Sequence, residues 1–436
     1  MTDMTLSARP DVASGGVLYR LVWKWHFLAS LYVLPFMAML ALTGGVYLYK
    51  PQIEAWLYAD QMFVTEGEAR LSVEDQLASL TANTPDAPGV KRLRGITQYD
   101  DPTRSTLVEF NTAANVRSYA WINPYTGELL GHVARDDTPM RMLKKFHGEL
   151  LLGKTGTKFV ELSAHWAIVM FITGIYLWWP RGSRSLRRAV SPPKGSPKRG
   201  RSWWRETHLF TGFLATILVV PILVTGLPWT DVWGGSLKYV QEQTGQKSGS
   251  LRFSRSVPKS TASEGVTLPY DQVFAIAAAE GLAAPYEMRP PKNDSAAFWI
   301  RSAHIDRSEQ TELIIDQYSG AVLKRHDFGD NPVVARAVSW GISFHQGEMY
   351  GWLNLAQNTL AALLAFALAL SGFVAWWKRR PAGGLGVPAA PDASMGWGMI
   401  ALITVLSVLL PLMGASLIVA LILDRLLFQR LGWFQG

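Results

Sequence analysis

Five long apolar windows, nearly free of charged residues, constrain this chain more than any other feature. They cover residues 18–49, 157–179, 203–228, 352–377 and 396–423. At a helical rise of 1.5 Å per residue, each window is long enough to cross about 30 Å of hydrocarbon. The sequence therefore predicts a membrane α-helical bundle of five transmembrane helices, with the lipid bilayer as its surroundings.

Basic residues between the windows predict the orientation. Residues 180–202 contain many arginines and lysines and no acidic residue, and Lys378, Arg379 and Arg380 open the segment 378–395. Such clusters favour the cytoplasmic side of a membrane. The N-terminal segment 1–17 is then cytoplasmic as well. Segments 50–156 and 229–351 and the C-terminal segment 424–436 are periplasmic, in a multi-pass protein of a bacterial inner membrane.

The two large outer segments share one pattern. Each has a helix-like stretch, at 73–80 and 270–279, followed by strand-like runs such as 106–110 and 312–316. Turn sequences follow, Pro124-Tyr-Thr-Gly127 in one and Gln317-Tyr-Ser-Gly320 in the other. Alternating apolar residues bounded by such turns are typical of antiparallel strands. The pattern predicts two periplasmic α+β domains.

An internal duplication of a helix–domain–helix unit explains this likeness. His26 precedes Thr43-Gly44 by the same number of residues as His208 precedes Thr225-Gly226. A tryptophan pair likewise follows His147 and His345 at equal distances. Self-similarity of this kind indicates repeated structural units. The repeat covers the first four windows and both outer segments, and leaves the fifth window outside.

Composition excludes several classes of function. The chain has no cysteine, which excludes disulfides, thiolate zinc sites and covalent haem attachment through C-x-x-C-H. The net charge of +8 comes from residues beside apolar windows, so it predicts no nucleic-acid partner. No phosphate-binding or dinucleotide-binding glycine motif is present. The chain is therefore expected to receive its reductant from elsewhere.

Histidines at the ends of the apolar windows are the candidate site residues. His26 and His208 are repeat mates near the inner face, and His147 and His345 are repeat mates near the outer face. Ionisable groups in membrane segments indicate a functional site by default, and neutral imidazole is a common axial ligand of haem iron. Two symmetric pairs predict two non-covalent b-type haems, one near each face.

His165 breaks this symmetry. It lies inside the window 157–179, and the corresponding residue of the second copy is Leu363. Three roles are open to it. It could replace His147 as a ligand of the outer haem, contact a haem propionate, or relay protons.

The motifs together resemble the PepSY-associated transmembrane family. The resemblance rests on Trp25-His26, Phe146-His147-Gly148-Glu149, the run 173–180 with its second-copy mates, the turn 124–127, and Gly414-Ala-Ser416 with Asp424. It implies a di-haem reductase of periplasmic ferric siderophores that releases Fe(II). It also implies His26, His208, His147 and His345 as haem ligands, and a separate cytoplasmic or membrane electron donor.

Two other functions remain open at this point. The chain could be a metal-chelate permease in which the histidines form a polar lining. It could also be a non-catalytic regulatory or assembly protein whose outer domains bind a partner. The permease predicts a protein without a visible chromophore, and the regulatory or assembly protein predicts that the histidines are dispensable.

Overall fold

The computed structural model describes residues 13–81, 89–181, 186–196, 198, 200–251, 257–261, 265–388, 396–423 and 425–426. The chain forms two compact units. One contains Met1–Val46, Phe146–Leu237 and Leu355–Gly436, and the other contains Tyr47–Lys145 and Lys238–Asn354. Much of the predicted N-terminal and C-terminal segments, part of the basic segment 180–202 and Asp424 lie outside the described residues.

The described α-helices alternate with two groups of strands along the chain. In chain order the helices are α1 (Ala13–Tyr47), α2 (Lys50–Leu57), α3 (Ala59–Met62), α4 (Val73–Thr81), α5 (Pro139–Glu149), α6 (Gly153–Trp178), α7 (Leu186–Ala189), α8 (Arg201–Gly226), α9 (Val232–Gln243), α10 (Tyr270–Ala279), α11 (Val333–Gln346), α12 (Trp352–Trp377), α13 (Trp397–Leu409) and α14 (Pro411–Leu423). The strands are β1 (Val90–Gln98), β2 (Thr106–Thr112), β3 (Arg117–Ile122), β4 (Leu129–Ala134), β5 (Tyr286–Arg289), β6 (Phe298–Ser302), β7 (Thr311–Ile315) and β8 (Val322–Asp327).

Four of the described helices are long and apolar enough to cross a membrane, namely α1, α6, α8 and α12. They match the first four predicted windows, although α6 begins at Gly153, four residues earlier than predicted. Small and apolar side chains pack these helices together, with Phe171 of α6 against Ala215 of α8 and Ala361 of α12. Such small residues let membrane helices approach closely.

The predicted fifth window, 396–423, is not one helix, and that prediction is wrong in this respect. The helix breaks at Leu410, whose φ of −127° and ψ of 73° are not helical, and Pro411 opens α14. Proline has no N–H to continue the preceding helix. Each part is 13 residues long, or about 20 Å, which is too short to cross the hydrocarbon alone.

The two short helices fold back on each other. A methyl group on Gly414 would lie 2.7 Å from Ser407 Cβ, although the two residues are on different helices. Trp233 Nε1 donates to Leu409 O at the turn, and Trp166 Nε1 donates to Ser416 Oγ further along α14. The N–H of Trp233 also donates to Glu161 of α6, so the start of α14 lies near Glu161, whereas Ser416 lies near Trp166. Helix α14 therefore runs parallel to α6. The chain therefore returns toward the end of α6 that carries Trp178.

The strands of the second unit form one antiparallel sheet of eight strands, in the order β4-β3-β2-β1-β5-β6-β7-β8. The predicted helices and strands of both outer segments are confirmed. The prediction of two separate domains is wrong, because β1 pairs with β5 through Ile96 and Met288 and their neighbours. One segment thus continues the sheet of the other.

Helices α4 and α10 cap each other beside this seam. The N–H of Val73 donates to Asp271 Oδ2 at 2.9 Å, and the N–H of Tyr270 donates to Glu74 Oε1 at 2.7 Å. Carboxylates stabilise helix N-termini by accepting from N–H groups that have no partner inside the helix. The helices bury Val73 and Val273 against Ile96 and Met288 of the two central strands.

Candidate functional site

His26 of α1 is held by a threonine of α6. Its Nδ1 lies 2.9 Å from Thr173 Oγ1. The same hydroxyl donates its single proton to Val169 O, at 2.9 Å, one turn earlier in its own helix. Thr173 must therefore accept from His26, which places a proton on Nδ1. The Nε2 lone pair of His26 is left for another partner.

His147 of α5 has the same arrangement with α1. Its Nδ1 lies 2.8 Å from Thr43 Oγ1, and Thr43 donates to Met39 O at 2.7 Å. The proton again belongs on Nδ1. Helix α1 thus takes both roles, because it supplies His26 to Thr173 of α6 and Thr43 to His147 of α5.

His208 of α8 is held by a backbone carbonyl of α12. Its Nδ1 lies 3.2 Å from Leu368 O. A carbonyl oxygen can only accept, so Nδ1 is again the protonated nitrogen. Ser371 Oγ donates to the same carbonyl at 3.1 Å. His26, His147 and His208 thus share one tautomer with Nε2 unprotonated, the form in which imidazole binds iron through that nitrogen.

A glycine packs against each of these three rings. A methyl group on Gly44 would lie 3.1 Å from His147 Cε1, one on Gly174 3.4 Å from His26 Cε1, and one on Gly372 3.1 Å from His208 Cε1. Each glycine directly follows a hydroxyl residue, either Thr43, Thr173 or Ser371. For His26 and His147, the hydroxyl–glycine pair therefore holds the ring by one hydrogen bond and by close packing. For His208, Gly372 supplies the packing and Leu368 O supplies the hydrogen bond.

His26 and His208, which the repeat predicts as the inner pair, both lie in the first unit, on α1 and α8. Thr43, which holds His147, follows His26 by 17 residues on α1, or about 25 Å along the helix. The first unit thus presents imidazoles at two depths.

His345 lies near the C-terminal end of α11, within the second unit. Its pairing with His147 stays a prediction. Near it, Arg307 Nη2 donates to Gln346 Oε1 at 3.2 Å. Burial raises the pKa of the Glu348 carboxyl above its usual value, while the positive charges of Arg307 and Lys50 oppose this shift.

His165 has different surroundings from the other candidates. It is fully buried, and neither ring nitrogen has a hydrogen-bond partner among the described residues. Its Nε2 lies 3.7 Å from Oε1 of Glu161, which is also fully buried. No hydroxyl or carbonyl among the described residues fixes its tautomer, in contrast to His26, His147 and His208. No described group of three or more His, Asp or Glu side chains could hold a metal ion there.

Glu161 has a structural role that the sequence analysis missed. Its carboxylate accepts the N–H groups of Val232 at 2.9 Å and Trp233 at 2.7 Å, and so caps the start of α9. The available signal was that Glu161 is the one acidic residue in the window 157–179. The ring-holding role of Thr43 and Thr173 was missed too, although the recurring hydroxyl–glycine dipeptide was visible in the sequence.

These features define a polytopic membrane protein whose helices present histidines to hydroxyl–glycine pairs on neighbouring helices, with an antiparallel sheet domain outside the spans. The chain belongs to the family described as PepSY-associated TM region, whose model matches residues 23–379. The family resemblance drawn from the motifs is confirmed. No curated protein matches this chain significantly.

Proposed function

We propose that this protein is a di-haem reductase of the bacterial inner membrane that passes electrons to a periplasmic ferric siderophore and releases Fe(II). The observation that carries the proposal is the shared tautomer of His26, His147 and His208. In each, Nδ1 carries the ring proton and is engaged in a hydrogen bond, so Nε2 is the unprotonated nitrogen of the ring. A hydrogen bond to the second ring nitrogen is the usual arrangement behind a histidine that ligates a metal.

The residues fit a non-covalent haem. His26 and His208 would hold the inner haem, and His147 would be a ligand of the outer haem. Glycine beside three of these rings and small residues such as Ala361 and Ala365 between the helices suit a flat apolar macrocycle. When bound, haem supplies one-electron transfer at a tuned potential.

The proposed direction follows from the predicted orientation. A separate cytoplasmic or membrane donor would deliver electrons at the inner pair, and the acceptor would bind on the periplasmic side. One electron reduces one Fe(III) to Fe(II), and the weaker hold of siderophores on Fe(II) frees the metal. The protein's own part is to fix the imidazoles and keep the path through the bilayer apolar.

The arrangement of the sheet supports the proposed duplication. In each half of the sheet, the last strand of the half lies at the edge and the first lies at the centre. Helices α4 and α10 also cap each other reciprocally. In the first unit, equivalent helix pairs are joined by a histidine: α1 to α6 by His26 and Thr173, and α8 to α12 by His208 and Leu368 O. Two copies of one unit would place both ligands of each haem at matching positions.

Optical spectroscopy of the purified protein tests the proposal. Oxidised and dithionite-reduced spectra in detergent should show a shifted Soret band and sharp α and β bands, with about two haems per chain by porphyrin extraction. His26→Ala or His208→Ala should remove one haem and leave the other. A folded, colourless protein from haem-replete cells would refute the reductase and leave the permease and the regulatory protein as candidates.

A further inference from the structure

A basic cavity lies beside the central seam of the sheet. Its volume is about 550 Å³, and its lining includes Lys91, Arg92 and Arg94 of β1 together with Lys292, which follows β5. None of its lining residues in the described part of the chain is acidic. Cavities of this size are typical of small-molecule sites, and four cations around one cavity favour an anionic ligand.

Arg94 is oriented within this cavity by a chain of amides. Its Nε donates to Asn111 Oδ1 at 2.9 Å, and Asn111 Nδ2 donates to Asn115 Oδ1 at 2.9 Å. Asn111 is buried, and Asn115 has a φ of 63°, in the left-handed region that asparagine tolerates in a tight turn. Because its partner is a neutral amide, the guanidinium keeps its full charge for a ligand.

Other arginines on the same sheet are neutralised, which makes this cluster unusual. Arg117 pairs with Glu109, and Arg301 pairs with Glu287 at 2.6 Å. None of Lys91, Arg92, Arg94 and Lys292 forms a salt bridge with a described residue. Positive charges that repel one another without a fixed counter-charge are suited to bind several negative groups at once.

The opposite end of the same strand pair provides a contrast. A cavity of about 410 Å³ there is lined by Glu66, Glu68 and Asp100, and Arg70 is the one cation among its described lining residues. The two ends of the seam therefore differ in the sign of their charge. An anionic ligand entering this unit would be drawn to the basic end and repelled from the acidic one.

We propose that the basic cavity binds a multiply anionic chelate, that is, a metal complex whose outer surface carries carboxylate or catecholate oxygens. This rests on the proposed function, since it names the class of ferric complex that the reductase would accept. Arg94 would contact the oxyanions as a bidentate donor, and the two lysines would supply point charges at the rim. A neutral or cationic hydroxamate complex would gain nothing from this cavity.

Binding of a redox-inert complex tests the proposal without electron transfer. The probe is gallium(III) citrate, with cationic gallium(III) desferrioxamine B as the comparison, measured by calorimetry on the full chain in nanodiscs of neutral lipid. Arg94→Gln combined with Lys292→Gln should weaken citrate-complex binding at least about tenfold, because each cation supplies a charge-assisted contact. Arg70→Gln, in the acidic cavity, and Lys324→Gln, on exposed β8, should leave it unchanged.

Two outcomes would overturn the assignment. Equal affinity of all variants for gallium citrate, or equal affinity of the wild type for both complexes, would show that the cavity does not select anionic chelates. Retention of phosphatidylglycerol by the wild type but not by Arg94→Gln, with no effect on gallium citrate, would assign the cavity to lipid headgroups instead.

Lys292→Gln alone, at an exposed position, keeps the test valid if Arg94→Gln misfolds. A haem-free protein that still binds gallium citrate would refute the reductase and leave the binding site standing.

Discussion

Thr173 and His26 are joined across two membrane helices by one hydrogen bond of 2.9 Å. Replacing Thr173 by valine keeps the side-chain volume but removes the acceptor for the Nδ1 proton. We expect about tenfold to 100-fold weaker retention of the inner haem, the usual effect of losing such a partner, together with a shifted midpoint potential. Thr43→Val should act on the outer haem alone. Thr216→Val is the control, because among the described residues the Thr216 hydroxyl bonds to Gly212 O of its own helix and to no histidine.

Gly44→Ala should disturb His147 through packing. The added methyl group would lie 3.1 Å from His147 Cε1, so the ring must move by a few tenths of an ångström. We expect altered electron paramagnetic resonance g-values for the outer haem with Thr43 intact, and loss of that haem in Gly44→Val. Gly16→Ala, on the same helix with open space around it, should leave the spectrum unchanged. Identical spectra for Gly44→Ala and Gly16→Ala would contradict the close packing.

Glu161→Leu should destabilise the protein strongly. It leaves the N–H groups of Val232 and Trp233 without an acceptor in buried surroundings. The expected loss is about 3 kcal/mol, measurable as a lower melting temperature in detergent. Glu161→Gln keeps a hydrogen-bond acceptor and should lose less stability than Glu161→Leu. Glu206→Gln, at an exposed position of α8, serves as the control, and equal melting temperatures for all three variants would exclude the capping role.

The hairpin of α13 and α14 predicts which side of the membrane the end of α14 faces. The chain has no cysteine, so single cysteines can be labelled with an impermeant maleimide. Arg425→Cys should react from the same side as Ser191→Cys, near the end of α6, and from the opposite side to Lys154→Cys, at its start. Labelling of Arg425→Cys together with Lys154→Cys would show that α13 and α14 cross the membrane as one span.

Glu348 predicts a pH dependence of stability. Its raised pKa means that the folded protein binds this proton more tightly than the unfolded chain does. The resulting stabilisation is present in acid and is lost as the pH rises through the raised pKa. The melting temperature of the wild type should therefore fall relative to that of Glu348→Gln as the pH rises above the ordinary range of a glutamate carboxyl. Parallel curves for the two proteins would contradict the shift.

The sequence predicted the parts of the fold that depend on local pattern. Apolar length gave the four long spans, and alternation with turns gave the strands. The fifth window was wrongly predicted as one helix, because average hydropathy does not reveal the helix break before Pro411. The joined sheet was missed because the pairing of Ile96 with Met288 depends on residues far apart in the chain, and each strand alone is compatible with either arrangement.

The candidate site was predictable in part for similar reasons. The sequence pointed to His26, His147 and His208 because equal spacings between repeated motifs are visible in the sequence itself. The partner of each ring lies on another helix, so only the structure shows that Thr43 holds His147 and that Leu368 O holds His208. The repeat already set His165 apart, because its counterpart is Leu363, but only the structure shows that neither ring nitrogen has a hydrogen-bond partner among the described residues.

The seam between β1 and β5 also has a consequence for biosynthesis. Strand β1 is synthesised long before β5, which follows two further membrane helices in the chain. Until the second outer segment emerges, the first exposes an unpaired strand edge, and such edges are prone to join other chains. A ribosome pause or truncation between α6 and α10 would thus produce a membrane-inserted, aggregation-prone fragment, which quality-control proteases would degrade.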